Sequence, residues 1–137
     1  MRDRFQLRIV TPRQAVLEED VREVTAPGAF GEFGVLPDHI TFLTSLEIGT
    51  LRFRADGDAQ SLAIRGGFAE VADNIMTVLA DDAAFADDID AEAARGDLAA
   101  AEAQLRGLSP LDPTFAGADA NRRWAQARLE TATPSRR

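Results

Sequence analysis

The chain is predicted to fold as a small antiparallel β-sandwich or barrel followed by a C-terminal α-helical hairpin, a β + α arrangement. Three observations carry this. Short alternating apolar segments separated by turn residues run from Phe5 to Leu79, as expected of half-buried strands. Composition then changes abruptly: from Asp81 to Asp97 there are seven acidic side chains and one arginine, and alanine replaces the β-branched residues. Beyond that point apolar residues recur every three or four positions, the helical period.

Phe5, Leu7 and Ile9 alternate with Gln6 and Arg8 in a strand that Pro12 ends. Ala15 to Leu17 make a second short strand, and Val21, Val24 and Ala26 lie in a third segment closed by Pro27. The next stretch, Pro27 to His39, holds three glycines and two prolines and is predicted to be a shaped loop. Phe30, Phe33, Val35 and Leu36 would anchor it inward, leaving Glu32, Asp38 and His39 for solvent or a partner. Spacing alone leaves open whether this loop is a compact turn or a functional surface.

Thr41 to Thr44, Leu46 to Ile48 and Leu51 to Arg54 follow as strand segments, the last two split by Gly49. Ala55-Asp56-Gly57-Asp58 reads as a hairpin turn, because Asp-Gly supplies positive φ. Leu62-Ala63-Ile64 pairs back. Gly66-Gly67 interrupts before Phe68 to Val71, and Asp73-Asn74 turns the chain into Ile75 to Leu79. Gly66-Gly67 is no phosphate cradle: neither a helix nor a Lys-Ser/Thr pair follows it, so it marks a bulge or a close strand approach.

The domain boundary is placed near Phe85, dividing residues 1–85 from 86–137. Asp88 or Asp90 caps the first helix, with Asp90 and Glu92 at its positive end. Ala91, Ala94, Leu98, Ala101, Leu105 and Leu108 form a narrow apolar stripe, and Gly96 weakens the helix by roughly 1 kcal/mol relative to alanine. Gly107 to Pro113 is a breaker-rich connector. A second helix spans Asp119 to about Ala132 with Trp124, Ala127 and Leu129, and the extreme C-terminus is expected to be disordered. At about 14 residues such a helix is marginal alone. The pair therefore needs a packing partner, and its thin seam suits a hairpin that either folds back or opens onto another protein.

Bulk properties exclude several functions. A chain of 137 residues with 45% hydrophobic content supports one ordinary domain or a small domain with an appendage. Its 23 acidic and 15 basic residues give a net charge of −8, which argues against a nucleic-acid or anionic-lipid surface. All the basic residues are arginine. The absence of cysteine excludes disulfides and thiolate metal sites, and no apolar run approaches the ~20 residues of a membrane span. The N-terminus lacks a signal-peptide hydrophobic region, so a soluble, cytoplasmic chain is expected. His39 is the only histidine, which leaves no two-histidine metal centre and no material for a conventional triad. Neither enzyme activity, metal nor cofactor is expected.

The run Gly31-Glu32-Phe33-Gly34-Val35-Leu36-Pro37-Asp38-His39, followed by Phe42-Leu43-Thr44, resembles the signature of the epsilon subunits of F-type ATP synthases, delta in mitochondria. Asp38 stands where that family usually has glycine, and Glu47-Ile48-Gly49 replaces its Lys-Pro-Gly. The resemblance implies a flattened N-terminal antiparallel β-sandwich followed by a C-terminal α-helical hairpin, in a non-catalytic central-stalk subunit. Such a subunit fastens the gamma subunit to the membrane rotor ring of c subunits, peripherally, on the cytoplasmic side of the bacterial inner membrane. It further implies a ring contact through Glu32, Phe33, Asp38 and His39. An inhibitory contact of Arg122, Arg123 and Arg128 with the catalytic beta and alpha subunits is also implied; read from charge alone, these residues and Arg136 and Arg137 make a solvated basic face.

Some bacterial relatives bind ATP through Ile/Leu-Asp-x-x-Arg-Ala at the start of the first helix. Here the register is Ile89-Asp90-Ala91-Glu92-Ala93-Ala94, and Arg95 falls about 200° round the helix from the arginine position. Weak or absent ATP binding is expected. The competing reading is a free-standing nucleotide or small-molecule sensor whose hairpin closes over its ligand.

Overall fold

The computed structural model describes residues 2–132, so Arg136, Arg137 and the extreme C-terminus lie outside the described residues. Eight strands precede the helices: β1 (Phe5–Val10), β2 (Ala15–Val21), β3 (Glu23–Gly28), β4 (Gly31–Val35), β5 (Phe42–Arg54), β6 (Gln60–Ala72), β7 (Ile75–Leu79) and β8 (Ala83–Phe85). The order is β2-β1-β7-β6-β5-β3-β4, with β8 pairing β6. All pairs are antiparallel except β1 with β7, which runs parallel. That exception joins the first strand to the last long one and closes the N-terminus into the sheet.

Alternation works as the sequence implies. Phe5, Leu7 and Ile9 of β1 face inward, joined in the core by Leu51 and Phe53 of β5, Leu62 and Ile64 of β6, and Met76 and Val78 of β7. Glycine nevertheless interrupts less than expected. β5 runs unbroken through Gly49, and β6 runs through Gly66-Gly67 with its register to β5 unchanged on both sides. Of the two readings of the glycine pair, close approach is the right one: a Cβ on Gly67 would lie 1.9 Å from the Leu79 carbonyl oxygen.

The glycine-proline stretch departs further from expectation. Gly31–Val35 is a strand, β4, hydrogen-bonded to β3. It lies at the end of the sheet, next to β3 alone. Only Phe33 and Val35 anchor it; Phe30 and Leu36 are exposed rather than turned inward. The short strand β8, also unforeseen, is written in alanine and lacks a β-branched signal.

Asp90 caps the first helix, α1 (Ala91–Arg106), accepting from the Ala93 amide at 3.1 Å. Of the predicted stripe Ala94 and Ala101 are buried, and Ala91, Leu98, Leu105 and Leu108 half-buried. The second helix, α2 (Phe115–Ala132), begins four residues before the expected Asp119, after Asp112 accepts from both the Thr114 amide and hydroxyl. The hairpin is folded back. α2 lies between α1 and the outer face of β5 and β6, where Trp124 and Ala127 pack on Ala63 with Ile48 and Ile89 alongside. This seam is separate from the sandwich core. Thr131, also buried, shares a 2.8 Å hydroxyl contact with Thr50.

Candidate functional site

The residues singled out from the sequence fall into two groups in different parts of the molecule. The first is the elbow formed by β4 and the segment 36–41. The Phe33 ring meets Phe42 edge-on, centroids 5.4 Å apart, and His39 lies tilted over the same Phe42 at 5.0 Å. Phe42 is thus the hub that collects two of the predicted residues. His39 Nδ1 donates to the Ile40 carbonyl at 2.8 Å. Glu32 faces outward, its carboxylate 3.8 Å from Arg52 on β5.

Asp38 has φ 61°, the left-handed region that favours glycine and that aspartate tolerates better than most residues. Its carboxylate accepts from the Arg2 amide at 3.0 Å, and its own amide donates to Asn74 Oδ1 at 2.8 Å. Around this framework Phe30, Leu36, Ile40 and Leu43 are exposed. An open cleft of about 350 Å³, lined by Phe30, Phe33, Phe42 and Leu43 among others, runs beside them. Phe30 precedes β4 and Leu36 follows it, so these exposed apolar groups flank the edge strand and the segment after it. The apolar surface continues over the sheet face, where Phe68 and Leu79 sit opposite each other on β6 and β7 and are more than half exposed.

The second group is the arginine set of α2. Charge alone suggested a solvated face, yet each guanidinium is engaged within the chain. Arg122 pairs with Asp119 at 2.9 Å on its own helix, and Arg123 reaches Glu47 of β5 at 3.2 Å. Arg128 reaches Asp97 of α1 at 3.0 Å while its guanidinium carbon lies 5.5 Å from the centroid of Trp124. In the folded-back hairpin Arg123 and Arg128 therefore hold the layers together.

Ile89 and Asp90 are likewise engaged locally, Ile89 against the Trp124 seam and Asp90 as the helix cap. Arg95 pairs with Glu92 at 2.6 Å along α1. Among the described residues no cluster of three His, Cys, Asp or Glu side chains could hold a metal ion. No described helix is long and apolar enough to cross a membrane. Sequence reasoning missed Phe42 as the hub and Asn74 as a partner of the elbow. The only sequence signal for Asn74 was its place in a turn.

The family described as ATP synthase, delta/epsilon chain, beta-sandwich domain matches residues 4–86. An ATP synthase epsilon chain of Citrifermentans bemidjiense is 48% identical over 115 residues, covering 84% of this chain and 83% of the relative. One of Geobacter metallireducens is 44% identical over 137 residues, covering 100% and 99%. A chain in the structure of the Euglena gracilis mitochondrial ATP synthase OSCP/F1/c-ring superposes with a TM-score of 0.80 at 24% identity, covering 93% of this chain and 80% of that one. A chain of the Tetrahymena thermophila mitochondrial ATP synthase central stalk and c-ring gives 0.63 at 18%, covering 93% and 96%. At those identities the structural likeness speaks for the fold; the sequence relatives, matched along nearly their whole length, speak for descent. The chain belongs to the epsilon-chain family of ATP synthase.

Proposed function

We propose that this chain is a non-catalytic rotor subunit of an F-type ATP synthase, joining the gamma subunit to the c-ring so that ion-driven ring rotation reaches the catalytic head as torque. The observation that carries the reading is the set of exposed apolar side chains, Phe30, Leu36, Ile40 and Leu43, that flank the edge strand and its braced elbow in a chain of this family. Both solved assemblies named above contain a c-ring. In this reading Glu32, Phe33, Asp38 and His39 meet the polar loops of the ring, and the adjoining face at Phe68 and Leu79 takes gamma. Residues 1–85 make these attachments, and 86–137 govern direction. The complex holds the chain at the cytoplasmic side of the bacterial inner membrane.

Arg122, Arg123 and Arg128 support a second part of the proposal. Their partners here are carboxylates, so an acidic segment of the beta or alpha subunits offers the same chemistry once the hairpin opens. The folded-back conformation then withholds the inhibitory surface, and the open one presents it.

The test is to purify the tagged chain from its own cells and ask whether gamma and c come with it. Glu32→Ala and His39→Ala should then lower ion pumping per ATP hydrolysed in membrane vesicles, and replacing the three arginines with alanine should raise ATPase activity. Isolation without gamma or c would refute the reading.

A further inference from the structure

We propose that Asn74 is the positioning residue of the elbow, the side chain that fixes where His39 and its neighbours are presented; this rests on the rotor-facing reading above. Asp73 and Asn74 are the two central residues of the β6–β7 turn, with φ 54° and 62°. Two positive φ values in a two-residue hairpin define a type I′ turn, and the Asn74 side chain finds its partners outside that hairpin. Its Oδ1 accepts from the Asp38 amide at 2.8 Å, and its Nδ2 donates to the Arg4 carbonyl at 2.8 Å. Its own carbonyl accepts from the Gln6 amide at 3.2 Å. One residue thus ties the elbow to the N-terminus and to β1 across sequence separations of 36 and 70.

The elbow needs such a tie. Between β4 and β5 the backbone bond is that of the His39 amide to the Leu36 carbonyl at 3.2 Å, and Asp38 itself sits in the left-handed region. Without the bond from Asn74, the Asp38 amide has to turn to water, and the segment carrying His39 keeps only the Arg2–Asp38 pairing and the His39–Phe42 contact to hold it. Asparagine suits the position chemically. It tolerates positive φ and carries both a donor and an acceptor, whereas aspartate keeps only the acceptor and glycine keeps neither.

That difference supplies the test. Asn74→Gly keeps the turn conformation and removes both side-chain bonds, and Asn74→Asp keeps the acceptor for the Asp38 amide. Hydrogen exchange on the isolated chain should show the amides of Asp38 and His39 exchanging about tenfold faster in Asn74→Gly, with the strands unchanged. Asn74→Asp should restore protection of the Asp38 amide. In vesicles carrying the whole complex, Asn74→Gly should pump fewer ions per ATP hydrolysed while ATPase activity persists.

Unchanged exchange at Asp38 and His39 in Asn74→Gly overturns the inference. So does full pumping in Asn74→Gly when Glu32→Ala and His39→Ala are impaired. Full pumping in all three variants would instead sink the rotor-facing reading, and with it the functional half of the inference, while the exchange data still decide whether Asn74 braces the elbow.

Discussion

Trp124→Ala should detach the hairpin and leave the sandwich standing. Trp124 is 7% exposed and packs with Ala127 on Ala63, in a seam that shares no residue with the sandwich core. A buried tryptophan covers ~150–250 Å², which at ~25 cal/mol per Å² is an upper bound of roughly 4–6 kcal/mol. Truncation to alanine in packed sites costs about 3–5 kcal/mol, and the ring that Arg128 lies over is lost as well. Neighbouring alanines are too small to fill the gap. At ~1.4 kcal/mol per decade, the docking equilibrium constant of the hairpin falls by about two to three and a half powers of ten. Hydrogen exchange should therefore show amides of α1 and α2 losing protection by that factor, with β1, β5, β6 and β7 unaffected. Trypsin gives a second readout: the chain has no lysine, so cleavage at Arg122, Arg123 and Arg128 should accelerate while Arg8 and Arg52 stay resistant. Trp124→Phe, which keeps an aromatic ring in the seam, should lie between. If strands and helices lost protection equally, hairpin and sandwich would be one cooperative unit and a separately opening tail would be refuted.

Gly67→Ala should fail where Gly96→Ala succeeds. At Gly67, φ is +108° and a Cβ would meet the Leu79 carbonyl at 1.9 Å, so urea unfolding should show a loss of roughly 3–5 kcal/mol or no folded protein. At Gly96 nothing lies within 4 Å, and alanine should add up to about 1 kcal/mol of helix stability. The third prediction concerns acid. Hydrogen bonds from Arg4, at 2.8 and 3.0 Å, and a weaker one from Arg22 hold the Asp56 carboxyl below its ordinary value of 3.8. A carboxylate depressed on folding contributes stability above its unfolded pKa, and that contribution disappears as pH falls through the folded value. Asp56→Asn should therefore lower the melting temperature at pH 7, with the gap to wild type closing as pH drops below 3.8. A gap that does not change with pH would show that the Arg4 pairing is not its source.

What the sequence determined by itself is what local physics controls. Alternation at β1, positive φ at Gly57, the turn at Asp73-Asn74 and an aspartate cap on α1 follow from strand period, turn chemistry and orphan helix amides. The run from Gly31 to His39 also carries the family's signature in the sequence itself. Tertiary structure decided the rest. Whether Gly31–Val35 is loop or strand depends on β3 lying beside it at the edge of the sheet, which its own residues do not encode. The parallel pairing of β1 with β7, the burial of Ala63 under α2, and the capture of Arg123 and Arg128 by Glu47 and Asp97 join residues far apart in the chain. The same holds for Asn74: a turn residue by sequence, it becomes the tie to the elbow only because folding brings Arg4 and Asp38 within 2.8 Å of its amide. Periodicity names the face a side chain takes. Only the assembled sheet selects the partner that face will meet.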